Sequence, residues 1–210
     1  MIKVTVRATL LALISPFLLH ANAVLKNDIL KLEVSAKIEE IGRELSEKTN
    51  VNAYVIATNE HFPVGFNLVA YSKKFEENMS KPYVLFVFAP QAKITVASDD
   101  TGRVGIIPSS DALRKLYDYD AVRDAAIDVI AVKDKNTAED KDNIGVLQAY
   151  SELAENIGES KGVVLKNILP NDTRHFIWVL KVLVYIGSLL VLWMFILRPL
   201  WIRIKNGKRK

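Results

Sequence analysis

The chain has 210 residues, half of them hydrophobic, a formal net charge of +4 and no cysteine. Disulfides and thiol chemistry are therefore excluded. The positive charge is not spread evenly: residues 24–172 carry 18 basic against 24 acidic side chains, a net of −6, and the other basic residues lie at the two ends. That distribution offers no basis for nucleic-acid binding.

Residues 1–23 open with Lys3 and Arg7, run apolar from Ala8 to Leu19 and end in the small-residue pair Ala21-x-Ala23. This is the pattern of a secretory signal peptide with cleavage after Ala23. Residues 28–48 repeat apolar side chains at Leu30, Val34, Ile38, Ile41 and Leu45, which predicts one buried face of a helix. Asn50 is placed to close it. VNAYVIAT (51–58) is apolar and β-branched, the mark of a buried strand. After a loop with Pro63 and Gly65, residues 67–78 return to a helical pattern.

Ser80-Lys81-Pro82 breaks the chain before YVLFVFA (83–89), the most hydrophobic run outside the two ends. Such a run suits a central strand covered on both sides. Pro90 is expected to end it, and KITVAS (93–98) alternates like an antiparallel partner. Asp99, Asp100 and Gly102 read as a turn, and residues 104–107 as a short edge strand. Ser109 or Ser110 is placed to cap a short helix ending at Tyr117. Residues 120–132 then read as a helix, 134–142 as a polar loop and 143–157 as the last helix of the domain. About 150 residues of this kind make one domain with a substantial core.

Residues 176–197 (FIWVLKVLVYIGSLLVLWMFIL) form a 22-residue apolar stretch with one charge, Lys181. At about 1.5 Å per residue it reaches roughly 33 Å, enough for a hydrocarbon core of about 30 Å. Lys181 sits in the first two turns and is expected to snorkel towards the interface beside Trp178. The tail beyond it holds six basic residues from Arg198 to Lys210 and no acid, which places the C-terminus in the cytoplasm. The expected organisation is therefore a signal peptide (1–23), an ectodomain (24–165), a juxtamembrane connector (166–175), a single span (176–197) and a basic tail (198–210). The expected location is the inner, cytoplasmic membrane, with the ectodomain periplasmic.

A leader, a first helix, VNAYVIAT, a helix ending in KKFEEN, the run YVLFVFAPQAKITVAS and two closing helices together resemble the TPM domain family over about residues 28–160. That family includes a thylakoid photosystem II repair factor, bacterial membrane-anchored ectodomains and an accessory subunit of a nematode acetylcholine receptor. The resemblance implies an α/β fold, a small mixed sheet with helices on both faces, and a role in assembling, repairing or modulating a membrane protein complex. Some members are similar in binding calcium and showing acid phosphatase activity, for which Asp99 and Asp100 are the plausible counterparts here. The family's usual Asp-Asn-Gly turn before the central strand reads Ser80-Lys81-Pro82 in this chain.

Other constellations point to bland roles. Asp100-Thr101-Gly102 spells an aspartic-protease triplet, but that chemistry needs a second, matched Asp, and no second copy exists. Asp120, Asp124 and Asp128 share a helix face after Asp118, and a solvated stripe is the expected role. The loop with Asp134, Asn136, Glu139, Asp140 and Asp142 is rich in oxygen ligands for calcium, yet lacks EF-hand spacing. His61 and His175 are too few for zinc, and no nucleophile-elbow motif accompanies them. Asn78-x-Ser80, with Glu76, fits a glycosylation acceptor. No catalytic residue and no cofactor is assigned, calcium being the possible exception. The expected function is a non-enzymatic factor for a membrane complex, and the alternative is a metal-dependent, acid phosphatase-like hydrolase.

Overall fold

A computed structural model describes the backbone of residues 22–98, 100–169 and 172–198, and the side chains of these except 172–181. The leader up to Ala21, Asp99, the tail beyond Arg198, and the side chains of His175, Trp178 and Lys181 lie outside the described residues.

The sheet is mixed and four-stranded, in the order β1 (Val24–Asn27), β2 (Asn52–Ala57), β3 (Tyr83–Lys93) and β4 (Thr101–Pro108). The first three strands are parallel, and β4 runs antiparallel to β3. β2 and β3 are central and apolar on both faces, as their sequences require. Alternation divides their side chains between two cores. Val55, Val84, Phe86 and Phe88 face α1 (Leu32–Thr49), α3 (Tyr119–Ala131) and α4 (Ala138–Ser160). Tyr54, Ile56, Leu85 and Val87 face the loop at Phe62, the short helix α2 (Leu68–Ser72) and the 3-10 turn Lys73–Asn78. The α/β class and the covering of both faces agree with the sequence.

Four expectations are corrected. First, a strand, β1, precedes α1. The chain turns at 28–31, where the Asn27 side chain accepts from the amides of Ile29 and Leu30, so α1 starts at Leu32. Second, Pro90 does not end β3, which continues to Lys93 through an irregularity in register between Ala89 and Lys93. Third, residues 93–98 are not the antiparallel partner. Pairing passes to β4, with Phe88 opposite Val104 and Lys93 opposite Thr101, and the apolar Ile94 and Val96 are left exposed in the loop between. Fourth, the polar stretch 134–142 is only partly a loop. Thr137 accepts from the Asp140 amide, and α4 begins at Ala138. Glu139 and Asp140 then lie in its first turn, where the helix dipole favours acids.

The expected capping helix at 110–117 is a 3-10 turn, Asp111–Leu116, with no side-chain cap. Ser109 instead accepts from the Tyr83 amide at 3.0 Å and holds the end of β4 against β3. Near the C-terminus, α5 (Asp172–Leu192) continues as a π-helical turn, Trp193–Leu197. Among the described residues no helix is long and apolar enough to cross a membrane.

Candidate functional site

The acids singled out in the sequence do not meet. Asp100 is exposed and accepts from the Ser98 hydroxyl at 2.7 Å within its own loop. Asp118 caps α3, accepting from the amides of Asp120 and Ala121. Asp120 and Asp124 both pair with Arg123 on the exposed face of α3, and Asp128 is exposed on the same helix. Asp134 closes a turn, accepting from the Asn136 amide at 3.0 Å, with Lys141 Nζ 3.1 Å away. The Asn136 amide and Lys141 hold its carboxyl below the ordinary carboxylate value. Asp140 pairs with Lys31 across to the start of α1. Burial pushes the Asp142 carboxyl up. His61 and Asn78 are exposed. Among the described residues, no group of three or more His, Asp or Glu side chains is placed to hold a metal ion.

A different cluster forms at the carboxyl ends of β1 and β2, the edge where open α/β sheets bind ligands. Lys26 Nζ contacts the Glu60 carboxylate, lies 3.1 Å from Asp28 Oδ2 and donates to the Tyr71 hydroxyl at 3.3 Å. Tyr71 donates to Glu60 at 2.8 Å, and Thr58 donates to Asp28 at 3.0 Å. Strand direction explains the meeting. Lys26 and Asp28 leave β1, Thr58 and Glu60 leave β2, and the two strands are parallel. Burial works against the charge on Lys26, but its bonds to Glu60, Asp28 and Tyr71 outweigh that and raise its pKa. For Asp28, burial is likewise outweighed, by Lys26, Thr58 and the Asn59 amide, and its carboxyl is lowered. Lys26 and Tyr71 lower Glu60. Burial, then the bond to Glu60, raises Tyr71. The five side chains satisfy one another, and the cluster acts as a clasp tying β1, the loop after β2 and α2 together.

An open groove of about 410 Å³ runs along the free edge of β4, lined by Phe66, Leu68, Val69, Arg103, Ile107 and Tyr119. Arg103 braces its wall by donating to the Phe66 carbonyl at 2.7 Å. Ser109 N–H donates to the Tyr83 carbonyl at 2.8 Å, which fixes the alternation of the ladder. The backbone groups of Val104 and Ile106 therefore point away from β3, along the free edge of the sheet.

A third arrangement concerns the connector. Glu44, on α1, is buried and accepts from the amides of Lys166 and Asn167, each at 2.8 Å, and from Lys48 Nζ at 2.7 Å. Lys48 also donates to the Val164 carbonyl at 2.9 Å. The Ser151 hydroxyl accepts from the Leu169 amide at 2.7 Å, and the Leu165 side chain is buried. Burial opposes ionisation of Glu44, but Lys48 and the two amides more than offset it and lower its pKa.

The residues of the clasp and of the connector were not singled out by the sequence. Their signals there are slight: Lys26-x-Asp28 directly after an apolar pair, and one acid, Glu44, near the apolar stripe of a helix. No protein-family model matches the chain, and no curated protein matches it either.

Proposed function

We propose that the chain is a membrane-anchored, extracytoplasmic, TPM-like domain that assembles, repairs or modulates a membrane protein complex, acting by binding. One observation carries this reading. Residues 163–169 are fastened to the domain by Glu44, Lys48 and Ser151, and α5 begins at Asp172. In sequence, only positions 170 and 171 lie between that attachment and the helix.

The composition of that helix suits an anchor. From Val182 to Leu197 every residue is apolar except Gly187 and Ser188, and large side chains from Leu183 onward are exposed all round. Ser188 returns its hydroxyl to the Val184 carbonyl at 2.8 Å, so it asks nothing of its surroundings. A helix apolar on every face requires lipid or protein cover. Residues 176–181 extend the run in sequence to the 22 residues of the proposed span. The domain would then sit at the bilayer surface in a fixed attitude, where its groove and free strand edge face neighbouring membrane proteins.

The test is capture with and without that attitude. The full-length chain is cross-linked in its own membrane, solubilised and purified with its neighbours. A flexible Gly/Ser segment of about twelve residues, inserted between Pro170 and Asn171, adds a reach of about 19 Å and frees the domain. We expect one dominant membrane-protein neighbour for the wild type and a several-fold loss with the insertion. Equal recovery from both chains, or no membrane-protein neighbour at all, would refute the reading.

A further inference from the structure

We infer that Glu39 is the receptor for the α-ammonium group that leader removal creates at Val24, a binding site for the chain's own new N-terminus. The inference rests on the reading of residues 1–23 as a signal peptide cleaved after Ala23, which the extracytoplasmic placement in the proposed function requires. Its basis is a half-buried carboxylate in the middle of α1 that faces the junction with both oxygens. Oε2 accepts from the Ala23 amide at 2.7 Å, and Oε1 accepts from the Val24 amide at 2.9 Å. Among the described residues, Glu39 has no cationic partner, unlike Glu44, Glu60 and Asp140, which each hold a lysine. The nearby buried Tyr150 is neutral and donates its hydroxyl to the Ala53 carbonyl at 2.9 Å. A partly desolvated carboxylate served by two neutral donors lacks its counter-charge.

Hydrolysis of the Ala23–Val24 bond by a leader peptidase provides that charge. Water adds across the amide, the carboxylate leaves on Ala23 with the leader, and the Val24 nitrogen takes up protons to become an ammonium. That nitrogen already lies 2.9 Å from Glu39 Oε1. The cut also removes the Ala23 carbonyl, which accepts from the Val55 amide at 2.7 Å, and the buried Ala23 methyl. Processing thus exchanges two amide-to-carboxylate bonds, from Ala23 and Val24, for one ammonium–carboxylate ion pair at Val24, and gives up the bond between the Val55 amide and the Ala23 carbonyl. The mature strand β1 is then pinned at its first residue, and its pairing with β2 starts from a fixed point.

The experiment uses the full-length protein purified from membranes in mild detergent. Its amines are labelled by reductive methylation near neutral pH, and the N-terminal peptide is identified and quantified by mass spectrometry. We expect that peptide to begin at Val24. Its amine should react at least about tenfold more slowly in the folded protein than in the same protein unfolded in SDS, the effect of about one pK unit. Glu39→Gln should abolish most of that protection. If the variant does not fold, the folded-to-unfolded ratio of the wild type decides alone. A peptide beginning at Val24 with equal rates in both states overturns the inference, as does one beginning at Asn22, the leader reading surviving in each case. A peptide beginning at Met1 overturns the leader reading and the inference with it.

Discussion

Replacing Glu44 with alanine should release the connector while leaving the sheet intact. The carboxylate accepts two backbone amides, from Lys166 and Asn167, at 2.8 Å each, and its side chain is only 10% exposed. Hydrogen bonds to an ionised acceptor contribute about 1.5–3 kcal/mol each. The freed amides regain water once the connector lifts, so the lower end of the range applies, about 3 kcal/mol for the pair. The Lys48 bridge adds little, because that side chain is about one third exposed. At about 1.4 kcal/mol per decade, amide hydrogen exchange at Lys166 and Asn167 should quicken about a hundredfold. The amide of Val163, bonded to the Gly158 carbonyl at 2.8 Å, and those of β3 should keep their protection. The lowered pKa of Glu44 sets the pH dependence. Its contribution is complete above the ordinary glutamate value of about 4.3 and is lost as pH falls through the lower, folded value. Exchange at Lys166 and Asn167 within about threefold of wild type, a factor worth under 1 kcal/mol, would refute the reasoning. A uniform loss of protection through β3 would show that Glu44 holds the whole domain and not its connector.

Phe86→Ala should cost about 3–5 kcal/mol in denaturant unfolding, because Phe86 is fully buried between β2 and β4 under the helices; a cost below about 1 kcal/mol would contradict that packing. A reporter active only outside the cytoplasm should work when inserted at Gly162 and stay dark when fused after Lys210, and the opposite pattern would reverse the topology. The protein should not hydrolyse p-nitrophenyl phosphate above background with Mg²⁺, Mn²⁺ or Ca²⁺, and turnover lost in Asp99→Ala or Asp100→Ala would install the hydrolase in place of the binding role. EDTA should leave the unfolding midpoint unchanged, and a steep rise with added calcium would identify a structural cation site.

The sequence by itself determined the part encoded by local hydrophobic pattern. α1 and α3 are legible because their apolar side chains repeat with the helical period, and β2 and β3 because they are short unbroken apolar runs buried on both faces. Unbroken hydrophobicity, not periodicity, marks the apolar stretch at the C-terminal end, whatever covers it. Tertiary structure decided the rest. β1 is four residues long, too short to show a period, and is a strand because β2 offers it a parallel edge. KITVAS alternates convincingly, yet β3 pairs further along, because the longer strand Thr101–Pro108 continues its ladder over more residues. The acids at 139–142 read as loop by composition, whereas a threonine cap and the helix dipole start α4 among them. The long-range side-chain arrangements were least visible of all. Lys26 meets Tyr71 across 45 positions, and Glu44 meets Lys166 across 122. No window along the chain holds both partners of either pair. They meet because two parallel strands end at the same edge of the sheet, and because the chain leaving α4 folds back over α1.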